Sequence, residues 1–277
     1  MLDERSRRHQ SGTMFGPRRI VCLTEETTEL LYLLGEEQRI VGISAYTVRP
    51  PEARKRHPVV SAFVSGSVEK IRRLKPDLVV GFSDIQADLA ASLIRAGLPV
   101  LVTNQRSLEE ILESMQMLAG IVGRAERGAE LIGRWRQAME ATRRSTEDQL
   151  RPAVFFQEWD EPLISAIRWV SELIELVGGR DIFAELREAG LARDRTIEPA
   201  EAGRRNPDLI VGSWCGKAMD HDWVRNHPDW QQVPAIRNNQ IYEMDPSIIL
   251  QPGPALFLEG MQTLQSLVDR ARRAMTQ

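Results

Sequence analysis

The chain reads as an α/β protein of two Rossmann-like lobes with parallel sheets, joined by one long α-helix, with a ligand cleft between the lobes. Three observations predict this. The segment Arg72-Arg73-Leu74-Lys75-Pro76-Asp77-Leu78-Val79-Val80-Gly81 returns as Gly203-Arg204-Arg205-Asn206-Pro207-Asp208-Leu209-Ile210-Val211-Gly212, and Thr28-Glu29-Leu30-Leu31-Tyr32-Leu33-Leu34-Gly35 is echoed, in the same order, by Ser171-Glu172-Leu173-Ile174-Glu175-Leu176-Val177-Gly178. Ordered echoes point to two units of similar build. Short apolar runs alternate with helical spacing, the signature of a parallel sheet covered on both faces. Residues 124–149 hold no proline and only two glycines, so one helix of roughly 39 Å lies where the first unit ends.

The elements follow in order. Residues 1–17 are polar and charged and read as disordered. The first lobe is expected over 18–123. Its strands are 20–23, 40–43, 78–82 and 98–103, with helical spacing at 27–34, 68–74 and 86–96, the first and last of these stopped by Gly35 and Gly97. Ser107-Leu108-Glu109-Glu110 is a capping box that opens a helix to about Val122. The connecting helix, 124–150, buries a stripe of Leu131, Ile132, Trp135 and Met139. The second lobe, 151–277, begins with a strand at 154–156 and a helix at 169–177. It continues with strands at 209–211 and 241–242 and closes with a helix over 253–275.

Composition removes several classes of function. The net charge of −3 argues against a nucleic-acid binder that works by counterion release. Two cysteines, Cys22 and Cys215, make neither a disulfide framework nor a cysteine zinc site. His221 between Asp220 and Asp222 reads as a charged loop, so no metal site is expected. No run of about 18 apolar residues could span a membrane, and residues 1–12 lack the apolar core of a secretory signal. The expectation from these residues is a cytoplasmic monomer, with a periplasmic protein as the alternative if the start is misassigned or trimmed.

Ligands in open α/β folds gather at the carboxyl ends of the strands. Tyr46, Phe63, Phe82, Trp159 and Trp214 fall at such loop positions, together with Glu158, Ser213 and Asp245. Aromatic faces on one rim suit a large, flat or greasy ligand. No Gly-x-Ser-x-Gly elbow, P-loop or Gly-x-Gly-x-x-Gly follows a strand, so no catalytic residue is assigned and binding is favoured over enzymatic work. An enzyme using the carboxylates near Glu158, and an adaptor with a vestigial cleft, are the other classes.

Ile43-Ser44-Ala45-Tyr46, Pro50-Pro51-Glu52-Ala53, Val68-Glu69-Lys70-Ile71 and Leu74-Lys75-Pro76-Asp77-Leu78-Val79 resemble the first lobe of helical-backbone substrate-binding proteins. Those proteins serve ABC importers of vitamin B12, haem and iron–siderophores. Phe156-Gln157-Glu158-Trp159-Asp160-Glu161-Pro162-Leu163, Trp169-Val170-Ser171-Glu172-Leu173-Ile174, Trp214-Cys215-Gly216 and Gln251-Pro252-Gly253-Pro254 are similar to the cobalamin-binding branch, with Gln251 where that branch usually has arginine. The resemblance covers about residues 19–270. It implies a corrinoid held by Tyr46, Phe63 and Phe82 from one lobe and by Glu158, Trp159, Trp214, Cys215 and Asp245 from the other, with Ser213 adding a hydrogen bond. It also implies docking on an ABC permease through Glu69 and a second acid near Ala200 or Glu201. Cobalamin would be a ligand, not a catalytic cofactor. Haem, with Tyr46 as axial ligand, and a ferric siderophore, held by Arg49 and Arg195, are the alternative ligands.

Overall fold

The computed structural model describes residues 16–62 and 64–276. Two sheets carry the architecture. The first contains β1 (Ile20–Cys22), β2 (Ile40–Ser44), β3 (Val59–Ala62), β4 (Ser65–Gly66), β5 (Leu78–Phe82) and β6 (Val100–Thr103), in the order β4-β3-β2-β1-β5-β6. All pairs are parallel except β3–β4. In the second half, β7 (Ala153–Gln157) starts the chain's return, and β8 (Trp159–Asp160) and β9 (Leu163–Ile164) form a small antiparallel ribbon. Then β10 (Arg180–Asp181), β11 (Leu209–Gly212) and β12 (Ile241–Glu243) complete an all-parallel sheet ordered β10-β7-β11-β12.

The repeated segment does the same work twice. Lys75 and Asn206 both turn through positive φ, 46° and 52°, just before the proline. Asp77 then accepts the backbone N–H groups of Arg18 and Arg19, while Asp208 accepts that of Ala153. Each aspartate pins the start of its lobe's first strand beside the inner strand it precedes.

Three apolar clusters set the layers. One lies on the outer face of the first sheet around Val21, Val79 and Leu93. Another fills the outer face of the second sheet around Phe155, Trp214 and Trp230. The third is continuous from Ile20 and Val80 in the first lobe, through Leu131 and Trp135, to Phe156, Leu173 and Leu264 in the second. The connecting helix spans Ala125–Thr146, ending short of the expected 150, and Trp135 stacks on Phe257 at 5.5 Å between ring centroids. A shared core of this kind makes the two lobes resist separation, because opening them exposes buried apolar surface.

Polar ties reinforce the junction. Glu172 accepts the N–H of Leu108 at 2.8 Å, and Glu29 accepts that of Ala255 at 3.0 Å. Arg49 bridges Glu29 and Glu259. Gly253 lies so close to the first lobe that a Cβ there would sit 2.3 Å from the Cβ of Glu26. The expected disorder of 1–17 falls on residues outside those described, apart from Gly16 and Pro17; Pro17 accepts a hydrogen bond from Arg39.

Candidate functional site

The carboxyl ends of β1, β2, β5 and β6 face those of β7 and β11 across a cleft with a cavity of about 270 Å³. That lies just below the range of ordinary small-molecule pockets, about 300–1,000 Å³. Its base is an aromatic contact between lobes. Phe82, the last residue of β5, meets Trp169 edge-on at 6.4 Å between centroids. Trp169 sits in the first turn of the helix Arg168–Leu176, 2% exposed, and its Nε1 donates to the carbonyl of Ile249 at 3.0 Å. Tyr46 and Ile85, about half exposed, stand on the first-lobe rim, and Leu191, Leu250 and Pro252 on the second.

Four charged groups line this apolar space: Glu25, Arg106, Glu158 and Arg195. Arg195 is 1% exposed and grips Glu158 with two nitrogens, at 2.7 and 3.2 Å, and also donates to the carbonyl of Ser165. Burial pushes the Glu25 carboxyl up to about 8, although the Val48 N–H bonded to it opposes the shift. Behind it, burial pushes Glu26 to about 7 against the hydrogen bond from Thr24. Burial also raises Glu29, with Arg49 opposing.

These raised values fix a pH dependence. A carboxyl whose folded pKa exceeds its unfolded value stabilises the fold fully below the unfolded value, and that contribution is lost as pH rises through the folded one. Glu26 is expected to contribute up to about 3 kcal/mol that is lost as pH rises from about 4.5 through about 7. Urea unfolding at pH 5 and pH 9 should therefore show a smaller drop for Glu26→Gln than for the parent; equal drops would contradict the assignment.

Of the residues expected at the site, Tyr46, Phe82, Glu158 and Cys215 do line the cleft. Phe63 lies outside the described residues. Trp214 is not on the rim: it is 1% exposed in the outer-face core, edge-on to Trp223. Ser213 is buried beside it, and neither its Oγ nor Trp214 Nε1 has a hydrogen-bond partner among the described residues. Trp159 packs against the same core, its Nε1 bonded to the carbonyl of Glu161 and the Lys217 ammonium 4.5 Å from its ring centre. Asp245 is exposed outside the cleft lining and caps the helix Pro246–Ile249 through the N–H of Ser247. The expected rim is thus corrected: the side chain following β11 turns to the outer face, and the cleft's tryptophan is Trp169. Arg49 is also displaced from the site, since it ties the lobes together. Arg106 and Trp169 were not read as cleft residues from the sequence. Arg106 lies three residues past the carboxyl end of β6, and that position is the signal for it.

Among the described residues no group of three or more His, Cys, Asp or Glu could hold a metal ion, and no helix is long and apolar enough to cross a membrane. Glu69 is exposed and held below the usual carboxylate range by hydrogen bonds from Arg73 and Arg72; Arg205 and Arg204 do the same for Glu201.

A family model for periplasmic binding proteins matches residues 20–248, nearly the whole described chain. The chain belongs to that family. This periplasmic binding protein is 27% identical to an uncharacterised ABC transporter substrate-binding lipoprotein of Bacillus subtilis, over 90% of this chain and 79% of the relative. It is 26% identical to a vitamin B12-binding protein of Vibrio cholerae, over 87% and 85%. Its fold is that of the solved periplasmic vitamin B12 binding protein of Vibrio cholerae (TM-score 0.75, 23% identity, 93% and 98% covered). It is equally that of a periplasmic haem-binding protein of Roseiflexus (TM-score 0.76, 24% identity, 94% and 99%). Members of the family are binding proteins of the ABC-importer type, which work with a permease and a small-molecule ligand. The cytoplasmic expectation does not hold: the relatives are lipoproteins or periplasmic proteins. It rested on the polarity of residues 1–12, and that stretch carries no information about where the folded lobes operate.

Proposed function

We propose that the protein binds a corrinoid of the cobalamin type in the interlobe cleft, without catalysis, and presents it to an ABC permease. The observation that carries this reading is the cleft itself: set between the lobes, mostly apolar, and based on Phe82 and Trp169 from opposite sides. A bulky macrocycle buries its edge against such a surface at about 25 cal/mol per Å² of apolar area. The vitamin B12-binding relatives support the ligand class. Glu25, carrying a proton near neutral pH, would donate to a ligand amide, and Glu158 would accept from one. Glu69 and Glu201, each at the start of a helix that precedes the strand of the repeated segment in its lobe, are the proposed permease contacts. The shared core favours a hinge of a few degrees over wide closure.

Haem is the second reading, because Tyr46 lines the cleft and a phenolate can ligate haem iron. Titration with cyanocobalamin and with haemin, followed by calorimetry and visible absorption, separates the two. Saturable binding of cyanocobalamin at or below tens of micromolar supports the corrinoid reading. Haemin binding that Tyr46→Phe abolishes, with no response to cyanocobalamin, replaces it with the haem one.

A further inference from the structure

Arg106 is the one cleft cation whose counter-charge is exposed. It follows β6, and its Nη2 donates to Ser83 Oγ at 2.7 Å and to Asp84 Oδ1 at 3.2 Å. Its Cζ lies 5.2 Å from the centre of the Phe82 ring, so the guanidinium is fixed over the aromatic base of the cleft. Its Nε and Nη1 donate to none of the described residues. Asp84, its only ion-pair partner among the described residues, is 57% exposed, and solvent screens such a pair. Across the cleft, Arg195 is engaged at both terminal nitrogens by Glu158.

Ser83 adds an independent observation. Its backbone stands at φ 69° and ψ 159°, a region almost reserved for glycine, yet its side chain is buried and bonded to both Arg106 and Asp84. Strain of this kind persists where the surroundings demand a particular side-chain position, and it concentrates at ligand clamps. Here the strained turn holds the hydroxyl that orients the guanidinium.

We propose that Arg106 is a specificity-determining residue that takes an anionic oxygen group of the ligand, a carboxylate or a phosphodiester, with Ser83 as its positioning residue. This rests on reading the cleft as the ligand site and selects among the ligands that could enter it. A fixed, partly desolvated guanidinium gives charge-assisted hydrogen bonds to such oxygens that a neutral amide cannot match.

The test compares the parent, Arg106→Gln, Arg106→Lys and Ser83→Gly against three probes. Cyanocobalamin carries a phosphodiester, dicyanocobinamide lacks it, and a cyanocobalamin monocarboxylic acid adds a carboxylate. Arg106→Gln is expected to weaken cyanocobalamin about tenfold to a hundredfold and leave dicyanocobinamide within about twofold. Arg106→Lys should recover part of the loss. Ser83→Gly should reduce the preference without lowering Tm, since it relieves the strained turn. Loss confined to the monocarboxylic acid supports the carboxylate as the group read; loss on both anionic probes supports the phosphodiester. An equal effect on all three probes, or none on any, overturns the proposal. If no corrinoid binds the parent, the corrinoid reading fails by itself, and haemin against its dimethyl ester repeats the comparison. A parent that then fails to prefer the free acid through Arg106 overturns the proposal on its own.

Discussion

Arg195→Leu is expected to destabilise the folded protein by about 3–5 kcal/mol. The guanidinium is 1% exposed, and Glu158 is only partly solvated, so removing one partner strands the other along with the carbonyl of Ser165. Glu158→Gln should be comparably damaging, because it leaves a buried cation without a counter-ion. The double variant Arg195→Leu, Glu158→Gln should cost less than the two singles combined, with a coupling of about 0.5–3 kcal/mol. Urea unfolding of all four proteins measures it. Strict additivity would mean that the pair does not act as a unit. The pair also lines the cleft, so ligand titration of the double variant tests whether the charges serve ligand orientation or only the local fold.

Trp169→Ala is expected to cost about 3–5 kcal/mol in stability and to weaken ligand binding about tenfold to a hundredfold. The ring is 2% exposed, contacts Phe82 of the other lobe and donates to Ile249. Trp169→Phe keeps most of the apolar wall and loses the hydrogen bond, so its stability cost should fall to about 1 kcal/mol. Trp214→Ala is the informative contrast. It empties a comparable volume from the outer-face core and should be similarly destabilising, while leaving affinity unchanged once the protein is folded. The reverse result, affinity lost with Trp214 and kept with Trp169, would restore the rim read from the sequence.

That contrast marks where the sequence was legible. The repeat announced two lobes because its residues have backbone duties: an αL turn at Lys75 and Asn206, and an aspartate that ties down the neighbouring strand. The long helix and the capping box at Ser107 were equally plain, since both follow from local spacing. Of the residues read at strand ends, Tyr46, Phe82, Glu158 and Cys215 line the cleft. They could not say which face a ring would take. Trp214 turned outward to meet Trp223, while Trp169, hidden inside an amphipathic helix, turned toward the other lobe. The β8–β9 ribbon and β4 are two residues per strand, too short for any period to register. The anchoring of Arg106 by a strained serine depends on tertiary placement and left no mark in composition.

A crystal structure of the protein saturated with cyanocobalamin tests the central claim most directly. The account predicts the macrocycle between the lobes, its edge on Phe82 and Trp169 and Arg106 within hydrogen-bonding reach of its phosphodiester. Cobalamin seated elsewhere on the surface, or a cleft that stays unoccupied at saturating ligand, would contradict it.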